Sequence, residues 1–328
     1  MIPQAMVAPA QQAATIDELR LRCPRCAAAL ERTDHTAPTF SCIECHFPMV
    51  RRDGIWHALP IERATYYSIF IKDYEAIRAA EGRGSRDPKY YLNLPIVARS
   101  DSNSGQWKIR ARTYEFLKRR VLPYINSGSD CQARVLDMGA GNGWLSYRLS
   151  QMGMRPVAVD LLTNDMDGLG AAAHFDGHLS RPFLRVRAES NRLPFCDAQF
   201  DAAIFNASFH YAESYEQTLR EALRCLKIGG TLMIADSPWY SSEESGKRML
   251  AERRSYFFTR FGTFSNSICS QEFLTDARLS QLARTFDLQW ERHTPFYGMR
   301  WSLRPLLAKL THKREPSTFQ IYTAKKHE

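Results

Sequence analysis

The 328-residue sequence lacks any apolar run long enough to cross a bilayer, so it predicts no transmembrane helix. Residues 1–15 also lack the basic start and long apolar core of a secretory signal, and we therefore expect a cytoplasmic protein. Acidic residues are in deficit, with 35 Asp and Glu against 44 Lys and Arg. The formal net charge of +9 would suit an anionic partner such as RNA, although the basic residues are scattered.

Cysteine is scarce, and half of the eight cysteines form two pairs. Cys23 and Cys26, then Cys42 and Cys45, give two C-x2-C pairs with fifteen residues between them. In a cytosolic chain this spacing is typical of a tetrahedral zinc site, since each pair turns tightly and aims two thiolates at one metal. The alternative is a metal-free redox pair. A segment this short buries little apolar surface, so we expect zinc to supply much of its folding energy.

Three glycines at alternate positions follow an apolar run in residues 135–143, VLDMGAGNG. The pattern predicts a buried strand, a tight turn and a helix that begins at Trp144. About one helix later, Val157–Asp160 predicts a second short strand that ends in an acid. Strand, glycine turn, helix, strand and acid make up a nucleotide-binding βαβ unit.

Two cofactor classes fit this unit. Dinucleotide enzymes use G-x-G-x-x-G, with pyrophosphate at a helix N-terminus. Here Asp137 precedes the glycines, and a carboxylate at the strand end suits a ligand that carries an ammonium group and no phosphate. This D-x-G-A-G-x-G pattern resembles motif I of the class I S-adenosylmethionine-dependent methyltransferases.

Two later segments resemble the same family. Residues 188–201, AESNRLPFCDAQFD, are similar to a block of its type 11 branch, and residues 226–236 are similar to its L-x-x-G-G-x-L-x-I-x-D passage. The resemblance implies a Rossmann-like α/β sheet with helices on both faces. It also implies that Asp160 binds both ribose hydroxyls of the cofactor. Arg187 stands where the family usually has an acid that meets the adenine amino group, which leaves Ala188 and Glu189 as candidates for that contact. The predicted cofactor-binding residues are Asp137, Gly139, Ala140, Gly141, Gly143, Asp160, Leu161, Ala188, Glu189 and Asn206.

The predicted transfer site follows the fourth strand, because ligands in open α/β sheets bind at the carboxyl ends of strands. His210 is a candidate general base, Tyr211 lies beside it, and Asp236 ends the fifth strand facing the cleft. The alternative is that these residues only line the cleft. Family members often cap the cleft with the region before motif I. The resulting lid candidates are Tyr90, Tyr91, Trp107, Arg110 and Arg112.

The cysteine-rich segment has a resemblance of its own. Residues 47–56, FPMVRRDGIW, are similar to the end of Trm112-like zinc ribbons, which are often fused in front of bacterial methyltransferase domains. A related arrangement occurs in 23S rRNA guanine-N1 methyltransferases, where a zinc module helps to recognise RNA. The ribbon could equally be a packing module that only helps the protein to fold.

The predicted organisation has four parts. These are a disordered tail over 1–18, a zinc ribbon over 19–60, a helical cap or linker over 61–125, and a methyltransferase domain over 126–328 with insertions at 237–270 and 295–317. The predicted reaction is methyl transfer from S-adenosylmethionine to an O or N atom, or a C atom, of a small or lipid-like metabolite, with structural zinc in the ribbon. One alternative is an rRNA or tRNA base methyltransferase. A second is a non-catalytic scaffold of the same fold.

Overall fold

The structure of the protein is a computed structural model that describes residues 16–34, 39–125 and 132–327. Of the tail expected over 1–18, residues 16–18 form a short 3-10 helix in which Ile16 is buried, and the remainder lies outside the described residues. No helix in the described ranges is long and apolar enough to cross a membrane.

Helices separate most of the strands in the second half of the described chain. The strands are β1 (Leu30–Asp34), β2 (Thr39–Cys42), β3 (Pro48–Arg52), β4 (Ile55–His57), β5 (Arg134–Met138), β6 (Arg155–Asp160), β7 (Leu184–Arg187), β8 (Phe200–Asn206), β9 (Leu226–Ala235), β10 (Glu291–His293) and β11 (Ile321–Lys325). The α-helices are α1 (Ile61–Ala80), α2 (Pro88–Asn93), α3 (Ser104–Arg120), α4 (Trp144–Gln151), α5 (Tyr215–Cys225), α6 (Glu243–Phe261), α7 (Asp276–Phe286), α8 (Met299–Ser302) and α9 (Arg304–Leu310).

The strands form one mixed sheet in the order β1-β2-β3-β4-β7-β6-β5-β8-β9-β11-β10. Its centre, from β4 to β9, is parallel, and both flanks are antiparallel. Successive residues of a strand point to opposite faces, so Leu136 and Val135 belong to separate apolar clusters on the two sides of the sheet. Burial on both faces is typical of a parallel sheet covered by helices, as the sequence predicted.

The cysteine-rich segment extends this sheet. β4 pairs in parallel with β7, placing Trp56 opposite Val186, and the amide of Ala58 donates to the carbonyl of Arg187 at 2.9 Å. Phe40 and Met49 of the segment join Val186 in one buried cluster. The segment therefore shares its hydrogen bonds and its core with the α/β domain.

Some element boundaries differ from the predictions. The sequence predicts one helix over 107–125, whereas α3 begins at Ser104 and ends at Arg120 and a 3-10 turn follows it. Residues 165–170 predict the start of a helix of small residues, whereas the structure has a 3-10 segment there, Leu169–His178. The sequence predicts a helix over 215–226 that stops at residues 227–230, but β9 already begins at Leu226. The register between β8 and β9 shifts at this point. Phe200 pairs with Leu226 and Ala202 pairs with Thr231, so residues 227–230 form a bulge.

Candidate cofactor and substrate cavity

The glycine loop lies between β5 and α4 and is held against β6. The amides of Gly139 and Ala140 both donate to the carbonyl of Val159, at 2.8 and 3.0 Å. Gly139 has φ of +69°, and a Cβ there would lie 2.3 Å from the Cβ of Ser208. A side chain at this position would therefore both strain the backbone and collide with the chain after β8.

Asp160, at the end of β6, faces the glycine loop. One carboxylate oxygen accepts from the amide of Gly141 and the other from the amide of Leu162, each at 2.8 Å. A carboxylate oxygen can accept more than one hydrogen bond, so both oxygens retain capacity for a ligand hydroxyl. Burial raises the pKa of Asp160, while these backbone amides lower it.

Asp137 is buried below the loop and accepts from the hydroxyl of Ser146 at 2.7 Å. Burial raises the pKa of Asp137 to about 7. A cationic group placed beside Asp137 would restore the carboxylate form, because an opposite charge favours ionisation.

A cavity lies at the carboxyl ends of the parallel strands and has about 1270 Å³ of empty space, part of which is open to solvent. The glycine loop and the end of β6 form one wall, and the chain after β8 forms another. Ten of the predicted site residues line it: Asp137, Gly139, Ala140, Gly141, Asp160, Leu161, Ala188, Glu189, Asn206 and Tyr211. Gly143 instead caps the start of α4, with φ of +76°.

Helix α1 covers this cavity. Tyr67, Phe70, Tyr74 and Arg78 line it from one face of the helix, and the Tyr74 ring meets that of Tyr211 edge-on at 5.6 Å. The sequence predicted a helical cap or linker over 61–125, but none of the lid candidates that we named lies in α1. Its aromatic and basic residues at 67, 70, 74 and 78 follow helical spacing, which was the available signal.

Two partly buried ion pairs hold α1 over the cavity. The Arg63 guanidinium donates to both oxygens of the Glu189 carboxylate, at 3.0 and 2.7 Å, and the Tyr67 hydroxyl donates to the same group at 3.1 Å. At the far end of the helix, Arg78 pairs with Asp167 at 2.5 Å. Glu189 therefore lines the cavity while its carboxylate holds α1 in place.

Arg110 alone among the five lid candidates lines the cavity. Tyr90, Tyr91 and Trp107 pack in or against the buried cluster on that side of the sheet, and Arg112 is exposed. The Arg110 guanidinium lies 4.9 Å from the centre of the Trp107 ring, and within the described ranges no ion pair joins it to a carboxylate. Burial lowers the pKa of Arg110.

Two of the predicted catalytic residues lie outside the cavity lining. His210 is buried, with Nδ1 3.4 Å from the hydroxyl of Ser237, and burial lowers its pKa to about 4. Asp236 was expected to face the cleft, but its carboxylate accepts from the hydroxyl of Thr113 at 2.5 Å, and Thr113 also contacts the hydroxyl of Tyr297 at 2.9 Å. Of the three, only Tyr211 reaches the cavity.

The four cysteines of the N-terminal segment converge on one point. Their sulfur atoms all lie within 4.8 Å of one another, with Cys26 and Cys42 at 3.3 Å and Cys23 and Cys45 at 3.6 Å. Four thiolates around one zinc ion at about 2.3 Å would be separated by roughly 3.8 Å. The donor set and its spacing therefore fit a tetrahedral zinc ion.

Residues 136–234 match the family model Methyltransf_11, described as a methyltransferase domain. The chain is 26% identical over 145 residues to a malonyl-[acyl-carrier protein] O-methyltransferase of Buchnera aphidicola subsp. Baizongia pistaciae, covering 43% of this chain and 56% of the relative. It is 33% identical over 103 residues to a demethylmenaquinone methyltransferase of Thermobifida fusca, covering 31% and 42%. The chain thus spans about half the length of these curated relatives.

Among solved structures, the YcgJ protein of Bacillus subtilis superposes with a TM-score of 0.47 at 14% identity, covering 67% of this chain and 99% of that one. The matched family model coincides with the glycine loop, with Asp160 and with the strands that frame the cavity. Residues 136–234 are thus similar to a methyltransferase domain, and the sheet around them has a Rossmann-like α/β architecture.

Proposed function

We propose that the protein transfers the methyl group of S-adenosylmethionine to an O, N or C atom of a small, largely apolar acceptor. The observation that carries the proposal is the continuity of the cavity, which runs from the glycine loop to the aromatic face of α1. Cavities that combine apolar and aromatic side chains with placed polar groups are typical of small-molecule sites. The two curated relatives are named for malonyl-[acyl-carrier protein] and demethylmenaquinone, neither of which is a nucleic acid.

In this proposal, different residues of the cavity contact different parts of the cofactor. Asp160 accepts from the ribose hydroxyls, Asp137 faces the ammonium group, and Leu161 packs against the adenine beside the backbone of Ala188. S-adenosylmethionine supplies a methyl group that its sulfonium already activates. The protein then needs chiefly to align the acceptor with that methyl group and to exclude water, and α1 provides the cover.

The raised pKa of the buried Asp137 carboxyl predicts that cofactor binding depends on pH. In the free protein that pKa is about 7, and the cofactor ammonium group would lower it, so binding below pH 7 should release a proton. We expect the affinity for S-adenosylhomocysteine to fall as the pH drops below about 7, by up to about tenfold per pH unit. Calorimetry in buffers of different ionisation enthalpy measures this proton. Asp137→Asn should remove the pH dependence, and a wild-type protein that releases no proton would contradict the assignment.

Arg110 provides a second test, because its guanidinium lies in the cavity wall and forms no ion pair with the described residues, and such a group suits an anionic oxygen of the cofactor or the acceptor. Loss of a charged hydrogen bond should weaken the interaction by about tenfold or more in Arg110→Met. If the partner is the cofactor carboxylate, S-adenosylhomocysteine binds more weakly while 5′-methylthioadenosine, which lacks that carboxylate, binds as before. If the partner is the acceptor, both bind normally and methyl transfer falls. Arg112→Met, on the exposed side of α3, is the matched control, and no effect on binding or transfer would refute the role.

For the cysteine cluster we propose a structural zinc ion held by Cys23, Cys26, Cys42 and Cys45. The support is the shared sheet and core, which give the segment a direct part in the stability of the α/β domain.

The acceptor class is tested by incubating the protein with methyl-labelled S-adenosylmethionine and an extract of host cells that lack the gene. The products are then separated into RNA, protein and organic-soluble pools. We expect label in the organic-soluble pool. Label confined to RNA would overturn the acceptor class and favour the alternative of an RNA methyltransferase that uses the zinc module for recognition.

A further inference from the structure

Helices α8 and α9 carry an apolar face that points away from the protein. Neither helix contains a fully buried residue. The outer face has i, i+4, i+7, i+8 and i+11 spacing, which places its members on one side of a nearly continuous helix. It is formed by Met299, Leu303, Leu306, Leu307 and Leu310, whose exposed fractions run from 44% to 69%.

The opposite face attaches the two helices to the domain. The Trp301 ring stacks on Phe319 with centroids 5.5 Å apart, and the Arg304 guanidinium lies 3.6 Å from the centre of the Trp301 ring. Arg304 also donates to the carbonyl of Ser317 at 2.5 Å. Because contacts to the domain use this inner face, the leucines and Met299 on the outer face are left for another surface.

The charge around the outer face has one sign. Residues 292–314 contain six Lys and Arg and no Asp or Glu. Arg292 and Arg314 pair with Asp276 and Glu252 elsewhere in the chain. Arg300, Lys309 and Lys313 have no ion-pair partner among the residues that the structure describes, so their charge is available to a partner.

We propose that α8 and α9 dock the protein on an anionic lipid bilayer, with the leucine face in the acyl boundary and Arg300, Lys309 and Lys313 against the headgroups. An apolar face beside unpaired basic side chains is the pattern of an interfacial helix. Leucine and methionine offer no flat rings on which nucleotide bases could stack, which argues against RNA. A second copy of the same face would oppose like charges.

The docking face is tied to the carboxyl edge of the sheet. The hydroxyl of Tyr297, just before α8, contacts Thr113 at 2.9 Å, and Thr113 donates to Asp236 after β9. That edge also carries the cavity. Docking would therefore hold the sheet edge that carries the cavity close to a membrane-dissolved acceptor, a consequence that rests on the proposed function.

The test is cosedimentation of the full chain with phosphatidylcholine vesicles, with and without phosphatidylglycerol. We expect binding to the anionic vesicles that weakens as salt is added. The pairs Leu306→Ser with Leu310→Ser, and Lys309→Glu with Lys313→Glu, should each lower the partition coefficient by about tenfold or more. Ile228→Ser is the matched control, because Ile228 is 73% exposed at the opposite end of β9 and should bind as wild type.

Several outcomes would overturn the proposal. One is that the wild-type protein does not bind anionic vesicles in any detectable amount, and another is that the variants bind them as well as wild type does. The third such outcome is a dimer in solution that the leucine substitutions dissociate. Titration of each variant with S-adenosylhomocysteine reports separately on the fold and the cofactor site. If the wild-type protein binds S-adenosylhomocysteine but not the vesicles, only the docking proposal is refuted. If neither the wild-type protein nor any variant binds S-adenosylhomocysteine, the proposed function is refuted.

Discussion

Asp160→Asn is expected to weaken binding of S-adenosylhomocysteine by at least about a hundredfold. The carboxylate accepts from the amides of Gly141 and Leu162, and the proposed ribose contacts add two hydroxyl donors to the same group. An asparagine replaces one acceptor oxygen by an NH2 group, which would face either a backbone N–H or a ribose hydroxyl. The substitution therefore removes a charge-assisted bond and leaves a donor against a donor.

Isothermal calorimetry of the variant measures this loss. Asp165→Asn is the control, since Asp165 follows the same strand but is exposed and does not line the cavity. The control should bind like wild type. If Asp160→Asn also binds within about a factor of two of wild type, the ribose assignment is wrong even where the fold is right.

Cys42→Ser is expected to remove bound zinc and to lower the melting temperature by roughly 10 °C or more. A serine hydroxyl is a poor zinc ligand, and the remaining three thiolates would have no closed tetrahedral site. The loss of stability should extend to the α/β domain, because the cysteine-rich segment shares a buried cluster with the sheet in which Phe40 and Met49 pack with Val186. Pairing of β4 with β7 would weaken in the same step.

Elemental analysis measures the bound zinc, and differential scanning calorimetry measures the melting temperature. Cys269→Ser tests for a general effect of losing a thiol, because Cys269 is exposed and lies outside the four-cysteine cluster. A Cys42→Ser protein that keeps its zinc and melts with wild type would contradict a structural metal site.

The parts of the fold that local patterns determine were predictable. The glycine loop needs a positive φ and a close approach to Ser208 at position 139, and both requirements select glycine there. The two cysteine pairs predicted a convergence that the structure also shows. By contrast, the pairing of β4 with β7 joins residues about 130 positions apart and follows from packing that no local pattern records.

The walls of the cavity were harder to predict. The helical spacing of Tyr67, Phe70 and Tyr74 was a signal, but such an aromatic stripe is equally consistent with a core face and does not by itself indicate a ligand site. Asp236 has φ of +52°, a left-handed backbone that turns its side chain from the expected cleft towards Thr113. Strand-end position alone therefore could not say which way this acid points.

The most direct test of the account is a calorimetric titration of the wild-type protein with S-adenosylhomocysteine and, separately, with NADH. The glycine loop, Asp137 and Asp160 together predict a saturable interaction with S-adenosylhomocysteine in the micromolar range, on the order of 8 kcal/mol, and no heat with NADH. Binding of NADH with no response to S-adenosylhomocysteine would show that the cavity serves the other nucleotide class and would contradict the proposed methyl transfer.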